Sequence, residues 1–261
     1  MENVSSLQSR IAQYIGIEGI INALSRSLRN AFETIKELDA AMTEMAVVTD
    51  KDIGDYWKEL PEYTARANAL GLTIKDVYEA DTLYYQQGLE TNEVIAISAE
   101  TMKMAKIAGL DTAEATDRMT AALRGFNMEL NETSAQKIAD VYSELAAITA
   151  SDVNEISTAM TKTASIASSA GMEFETTAAF LSQIIETTRE SAETAGTAMK
   201  TVVARFQELK KAPDEIGEID GEIVDANAIE TALRSVGVAL RDSSGQFRDL
   251  DDVFLELSSK W

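Results

Sequence analysis

With 44 acidic against 23 basic residues in 261, the chain carries a formal charge of −21, a surface that repels nucleic-acid backbones and anionic lipid headgroups alike. It has neither cysteine nor histidine, which removes disulfides, thiol nucleophiles, imidazole acid–base chemistry and most zinc or haem sites. The apolar 45% is mainly Ala, Leu, Ile and Met with two prolines, a mixture favouring helix, and no run approaches the ~20 apolar residues of a membrane helix.

The first predicted element is a helix over 17–48. Along it Ile17, Ile21, Leu24, Leu28, Ala31, Ile35, Leu38, Met42 and Met45 recur in alternating steps of four and three. This spacing averages 3.5 residues and keeps one apolar stripe on one side of a helix for roughly eight turns, about 45 Å. A stripe that long needs an equally long partner, so Ile17, Ile21, Leu24, Leu28, Ile35, Leu38, Met42 and Met45 are the candidate seam for oligomerisation or packing. Ile20 and Phe32 fall at the g and e positions beside it, where a two-stranded zipper carries charges. The widened stripe suits three or more helices, or docking on the following domain, better than a dimer.

A second helix is predicted over 52–70, with Pro61 causing a kink or break near Leu60. A repeated punctuation follows at Gly71-Leu72-Thr73, Gly88-Leu89-Glu90-Thr91, Gly109-Leu110-Asp111 and Gly125-Phe126-Asn127. In each, glycine takes the left-handed position that ends a helix. The apolar residue packs back on the last turn, and a small polar residue caps the next helix. Further helices are predicted over 74–87, 92–108, 112–124, 132–149, 152–170, 175–190 and 193–210, with 92–108 central because apolar residues cover over half its circumference. The glycines recur at about the length of a helix pair, which fits either ordinary punctuation or a solenoid-like array. Tyr56, Trp57, Tyr63, Tyr78, Tyr84 and Tyr85 concentrate the aromatics and are read as packing between adjacent helices.

Lys210-Lys211-Ala212-Pro213 closes the array, and the acidic stretch to Asn227 reads as a linker or loop. Ala228–Ser235 is predicted helical. Val236–Arg241 and Gln246–Arg248, flanking Asp242-Ser243-Ser244-Gly245, are predicted to form a small β-hairpin, and a last amphipathic helix starts near Asp249. The reading is thus an all-α chain with a long heptad-patterned helix (1–50), a helical core (51–211), an acidic linker (212–227), and a terminal helix, hairpin and helix (228–261). The final helix is still amphipathic at Trp261, as expected of a piece of something longer.

Candidate chemistry is sparse. Ser134-Ala135-Gln136-Lys137 has the Ser-x-x-Lys spacing of penicillin-recognising acylases, without the partner motifs and at a helix start where serine is common. Glu218-Ile219-Asp220-Gly221 resembles the middle of a calcium loop, but places Ile216 and Asn227 where carboxylates are required. Arg205, Lys210 and Lys211 form the most basic patch, at a helix C-terminus where the dipole favours cations. No catalytic, cofactor-binding or metal-ligating residue is assigned, and no enzyme activity is expected.

Taken in order, the motifs resemble a family. Leu38-Asp39-x-Ala41-Met42-x-x-Met45-x-x-Val48-Thr49, Tyr85-Gln86-Gln87-Gly88-Leu89, Ala108-Gly109-Leu110-Asp111 and Ala122-Leu123-Arg124-Gly125-Phe126 are similar to the core region of tail tape-measure proteins of long-tailed bacteriophages. Ser151-x-Val153-x-Glu155-Ile156, Ala170-Gly171-Met172, Gly196-Thr197-Ala198-Met199-Lys200-Thr201, and Gly237-Val238 with Asp242-x-x-Gly245-x-Phe247-Arg248 continue the resemblance. It implies a structural fragment of a ruler that sets tail-tube length and leaves at genome ejection. It also implies self-association as a trimer or higher, and tail-assembly chaperones, tube protein and tail-tip proteins as partners. The implied location is the tail lumen, and the host cytoplasm during assembly. No cofactor, membrane segment or specific nucleic-acid binding is expected. Even fully helical, the chain would reach only ~390 Å. The alternative reading is a non-viral helical-repeat scaffold or adaptor.

Overall fold

The computed structural model describes Arg26 and residues 29–211, 217–219, 222–224 and 226–260, so Ile17, Ile21, Leu24 and Leu28 lie outside the described residues. The class is all-α. The helices are α1 (29–49), α2 (Ile53–Leu70), α3 (Ile74–Gln86), α4 (Thr91–Ala108), α5 (Thr112–Gly125) and α6 (Glu132–Ile148). They continue with α7 (Val153–Ser169), α8 (Phe174–Thr188), α9 (Ala192–Lys211), α10 (Ala226–Ser235) and α11 (Leu250–Ser259). Two compact units divide the chain, Met1–Gln86 and Gln87–Trp261, and the border falls within the 51–211 stretch read from sequence as one core.

Helix boundaries follow local chemistry. Asp52 caps α2 by accepting from the Gly54 N–H at 2.7 Å, and Gly71 ends it at φ 64°. The next residue, Leu72, returns its N–H to the Ala67 carbonyl at 2.9 Å. The same bond, from the residue after the glycine to a carbonyl five back, recurs from Leu110 to Ala105, Met172 to Ala167 and Val238 to Leu233. The following helices start on side-chain caps: Asp111 accepts from the Glu114 N–H at 2.8 Å, Asn131 from Ser134 at 2.9 Å, and Asp152 from Glu155 at 2.7 Å. Glu155 reciprocates on the Asp152 N–H, closing a capping box. Of the kink or break expected near Leu60, the break does not occur. α2 runs through Pro61, since burial of Tyr56, Tyr63 and Ala67 on one face outweighs the hydrogen bond that proline cannot donate.

In the Gln87–Trp261 unit the central helix is α7, which packs on α4, α5, α6, α8 and α9. The predicted centre, α4, leaves Ile95 and Ile107 exposed at 42% and 64%. α7 earns the hub by being narrow: its buried positions include Ala159, Ala164, Ala167, Ser157 and Thr163. Small side chains let neighbouring backbones close in, where the bulkier apolar set of α4 would hold them away.

Gly125, from a punctuating motif, and Gly196 prove to be contact points on this hub. Gly125 lies inside α5, and the left-handed residue of that turn is Asn127 at φ 51°. A Cβ on Gly125 would stand 2.5 Å from the Ala164 Cβ, so the glycine is there for close approach to α7. Gly196 on α9 is tighter still: a Cβ would meet the Ala159 carbonyl oxygen at 2.5 Å and its Cα at 2.9 Å. The Thr163 hydroxyl donates to the Gly196 carbonyl at 2.9 Å across the same crossing.

The hairpin expected over Val236–Arg241 and Gln246–Arg248 does not form. Val236 and Gly237 are consumed in ending α10, with Gly237 at φ 80°, which shortens the first run to Val238–Arg241. What remains is one isolated bridge, Arg241 to Phe247, around a turn in which the Asp242 carboxylate accepts from the Ser244 and Gln246 N–H groups. Within the predicted linker, β1 (Gly217–Ile219) pairs antiparallel with β2 (Glu222–Val224), Glu218 opposite Ile223.

Candidate assembly surfaces

The α1 stripe changes character partway along. Leu38 is 9% exposed and Met42 and Met45 are fully buried, while Ile35 is 56% and Phe32 66% exposed. The C-terminal part of the seam is therefore used within its own unit, and the described N-terminal part faces outward. Beneath Met45 the Tyr63 hydroxyl donates to its sulfur at 3.7 Å, and Tyr56 and Thr49 share a hydroxyl–hydroxyl bond of 2.5 Å. Tyr63 stacks on Tyr78 with centroids 3.9 Å apart, and Tyr56 meets Tyr78 edge-on at 5.9 Å. Tyr84 is also buried, Tyr85 is half-buried and Trp57 is 39% exposed. The aromatic cluster is thus chiefly core, and burial pushes the Tyr63 and Tyr78 hydroxyls far above their usual range.

A buried ion pair completes this unit. Arg66 grips Asp81 with two bonds of 2.7 and 3.0 Å, and its guanidinium lies 5.3 Å from the Tyr63 ring centre. Burial opposes the charge on Arg66, but the Asp81 carboxylate outweighs it and raises the pKa of Arg66. Asp81 is 1% exposed on the same face of α3 as Val77, Tyr78 and Tyr84. A carboxylate inside an apolar stripe is the sequence signal that would have revealed the pair, because it demands a cation.

The Gln87–Trp261 unit offers a second apolar surface. An open groove of about 460 Å³ runs between α8, α9 and α11, lined by Phe180, Ile184, Met199, Val202, Phe254 and Leu257 with no ionisable side chain. Phe254 meets Phe180 and Phe206 edge-on at 5.6 and 5.5 Å. Val202 stays 42% exposed at this site.

The sequence's chemical candidates resolve into structural roles. Ser134 sits in the first turn of α6, and the Lys137 ammonium pairs with Glu175 on α8. Burial pushes the Glu175 carboxyl up, and the Lys137 ammonium more than reverses this, holding it below the usual carboxylate range. Of the supposed calcium loop, Glu218 and Ile219 lie in β1 and Asn227 in α10. Arg205 is half-buried on α9, which ends at Lys211. Among the described residues no group of three or more His, Cys, Asp or Glu is placed to hold a metal ion, and no helix is long and apolar enough to cross a membrane. One cation went unnoticed in the sequence. Arg118 of α5 donates to the Asn154 carbonyl at 2.7 Å, to the Asn154 side chain at 2.5 Å and to the Thr158 hydroxyl, stitching α5 to α7.

Comparisons with known proteins relate the chain to phage tail proteins. The family of phage-related minor tail proteins matches residues 64–261. A tape measure protein of Pneumococcus phage Dp-1 is 28% identical over 172 residues, which cover 66% of this chain and 13% of that relative. The match thus spans about an eighth of the relative's length. No solved structure matches.

Proposed function

The chain belongs to the phage-related minor tail protein family, structural proteins of the virion tail, and from that premise we propose that it is a tape-measure segment acting in tail-tube assembly. In this role it lies in the tube lumen, contributes to fixing how many rings of tube protein polymerise, and leaves ahead of the genome at ejection. In the host cytoplasm, before the tube closes around it, tail-assembly chaperones cover its apolar faces. Tube protein and tail-tip proteins are its later neighbours. The charge of −21 suits a lumen filler, because it gives the passing DNA nothing to hold.

The observation that carries the reading is the divided seam. Leu38, Met42 and Met45 are buried in their own unit, whereas Phe32 and Ile35, on the same helix, are left uncovered. A helix anchored at one end with an apolar stripe continuing away from the anchor is built to be covered by further copies, three or more, an arrangement that the widened heptad pattern suits better than a dimer. The interface test is therefore the double change Leu24→Asp with Ile35→Asp. Leu38→Asp is unsuitable, since it would place a charge in the unit's own core. Light scattering should report an oligomer for the unaltered chain and a monomer for the double variant with its helical signal intact. A monomer for both would remove self-association. The ruler role is tested in the phage: in-frame deletions within the parent gene should shorten tails in proportion, and tails of unchanged length would exclude it.

A further inference from the structure

Around α7 the helices of the Gln87–Trp261 unit meet backbone to backbone, through Gly125 and Gly196. α11 is joined differently. It reaches α8 and α9 chiefly through side chains, and a small cluster joins it to the preceding loop and to α9, in which Val238, Leu240 and Val253 pack with Phe206 and Phe247. Two further contacts hold it down. Phe254 lies edge-on between Phe180 and Phe206, and the Asp251 carboxylate accepts from the Glu173 N–H at 2.7 Å, 78 positions earlier in the chain. Glu173 is the N-cap residue of α8, and its own side chain makes no capping bond. One of the free N–H groups at the start of α8 is therefore satisfied from α11. Beside it, the Asp249 carboxylate stands 2.8 Å from where a side chain on Gly171 would begin, so the α7–α8 turn is shaped to admit the start of α11.

We propose that α11 is a detachable strap, clasped by Asp251, whose release uncaps α8 and bares the apolar face of α8 and α9. The seam beneath it is loose: along the 460 Å³ groove Phe180 and Ile184 are only half-buried and Val202 is 42% exposed. Unfilled seams forfeit dispersion contacts, and segments with few buried contacts open well below the free energy of global unfolding. The hub helices, locked at their glycine crossings, stay closed while the strap lifts. This goes beyond the tail role and does not depend on it.

Native-state hydrogen exchange of the whole chain, read by NMR at increasing urea below the unfolding transition, tests the idea. The Glu173 amide reports the clasp, because its hydrogen bond is to Asp251. It should merge with the α11 amides into one opening that precedes that of the α7 amides. Phe254→Ala should speed exchange at Glu173 and along α11 together, by roughly 30-fold for loss of a half-buried aromatic, with α7 amides essentially unchanged. Asp251→Ala should strip protection from Glu173, while Asp251→Asn, which keeps an acceptor, should retain it. Glu173 exchanging with α7, or α11 opening while Glu173 stays protected, would overturn the strap. Should Phe254→Ala fail to fold, the urea series on the unaltered chain decides alone.

Discussion

Gly196→Ala separates two accounts of the same glycine by the sign of its effect. If Gly196 is only a weak helix former inside α9, alanine should stabilise the helix by about 1 kcal/mol. The structure dictates the opposite. The new Cβ would lie 2.5 Å from the Ala159 carbonyl oxygen, 2.9 Å from its Cα and 3.0 Å from its carbonyl carbon. All three are backbone atoms, so no rotamer change relieves the clash; α7 and α9 must move apart. Overpacking of this kind costs about 1–3 kcal/mol. Separation also stretches the Thr163–Gly196 bond, now 2.9 Å, whose loss costs about 1 kcal/mol. After the helix-propensity gain the net effect is a destabilisation of about 2 kcal/mol. With a urea dependence of about 2 kcal/mol per molar, the midpoint of the circular dichroism transition should fall by roughly 1 M. An unchanged or higher midpoint would refute the claim that α7 and α9 are set by backbone contact.

Gly125→Ala should behave differently in one respect, because its nearest obstacle is the Ala164 side chain. Pairing it with Ala164→Gly should recover part of the stability lost, whereas Ala159→Gly should recover none of the loss from Gly196→Ala; a double-mutant cycle in urea measures both. Tyr142 is fully buried, and its hydroxyl finds no hydrogen-bond partner among the described residues, while its ring meets Phe174 at 5.4 Å. Tyr142→Phe keeps the ring contact and removes the stranded hydroxyl, so thermal unfolding should show stability raised by about 1 kcal/mol. Burial pushes the Asp251 carboxyl above its ordinary 3.8; the Glu173 N–H and the Thr176 hydroxyl oppose this, and the Glu173 and Asp249 carboxylates add to it. Its folded pKa thus exceeds the unfolded one. Its stabilising contribution is complete below pH 3.8 and is lost as pH rises through the folded value. Asp251→Asn should therefore be more stable than the unaltered chain at pH 7, with the difference vanishing toward pH 4 in matched denaturation curves. A constant difference across that range would count against the burial of this carboxylate.

The helices were legible in the sequence because their ends are local events. A cap needs a side chain within three residues of the N–H it satisfies, as at Asp111, Asn131 and Asp152, and a glycine stop is closed by the residue after it, as at Leu72 and Leu110. The lack of histidine and cysteine was equally plain, and it narrows the ways in which the chain could catalyse. The heptad stripe was visible too, but not its division. Whether Ile35 or Leu38 is covered depends on where α2 and α3 come to lie, and periodicity records only which side of a helix is apolar.

Partners distant along the chain escaped the sequence for the same reason. Gly125 read as punctuation and Gly196 as one more residue of a predicted helix, yet their task is set by Ala164 and Ala159 on another helix. The carboxylate that caps α8 belongs to Asp251, 78 residues away, and the cation that Asp81 requires is on the preceding helix. The predicted hairpin failed because Val236 and Gly237 were already committed to ending α10. By itself the sequence determined the helical class, the places where most of the described helices begin and stop, and the strongly negative net charge. Only the tertiary structure decided which helix is central, which apolar faces are spent inside the molecule and which remain for others. Those outcomes depend on how closely two backbones can approach, a distance that no local pattern encodes.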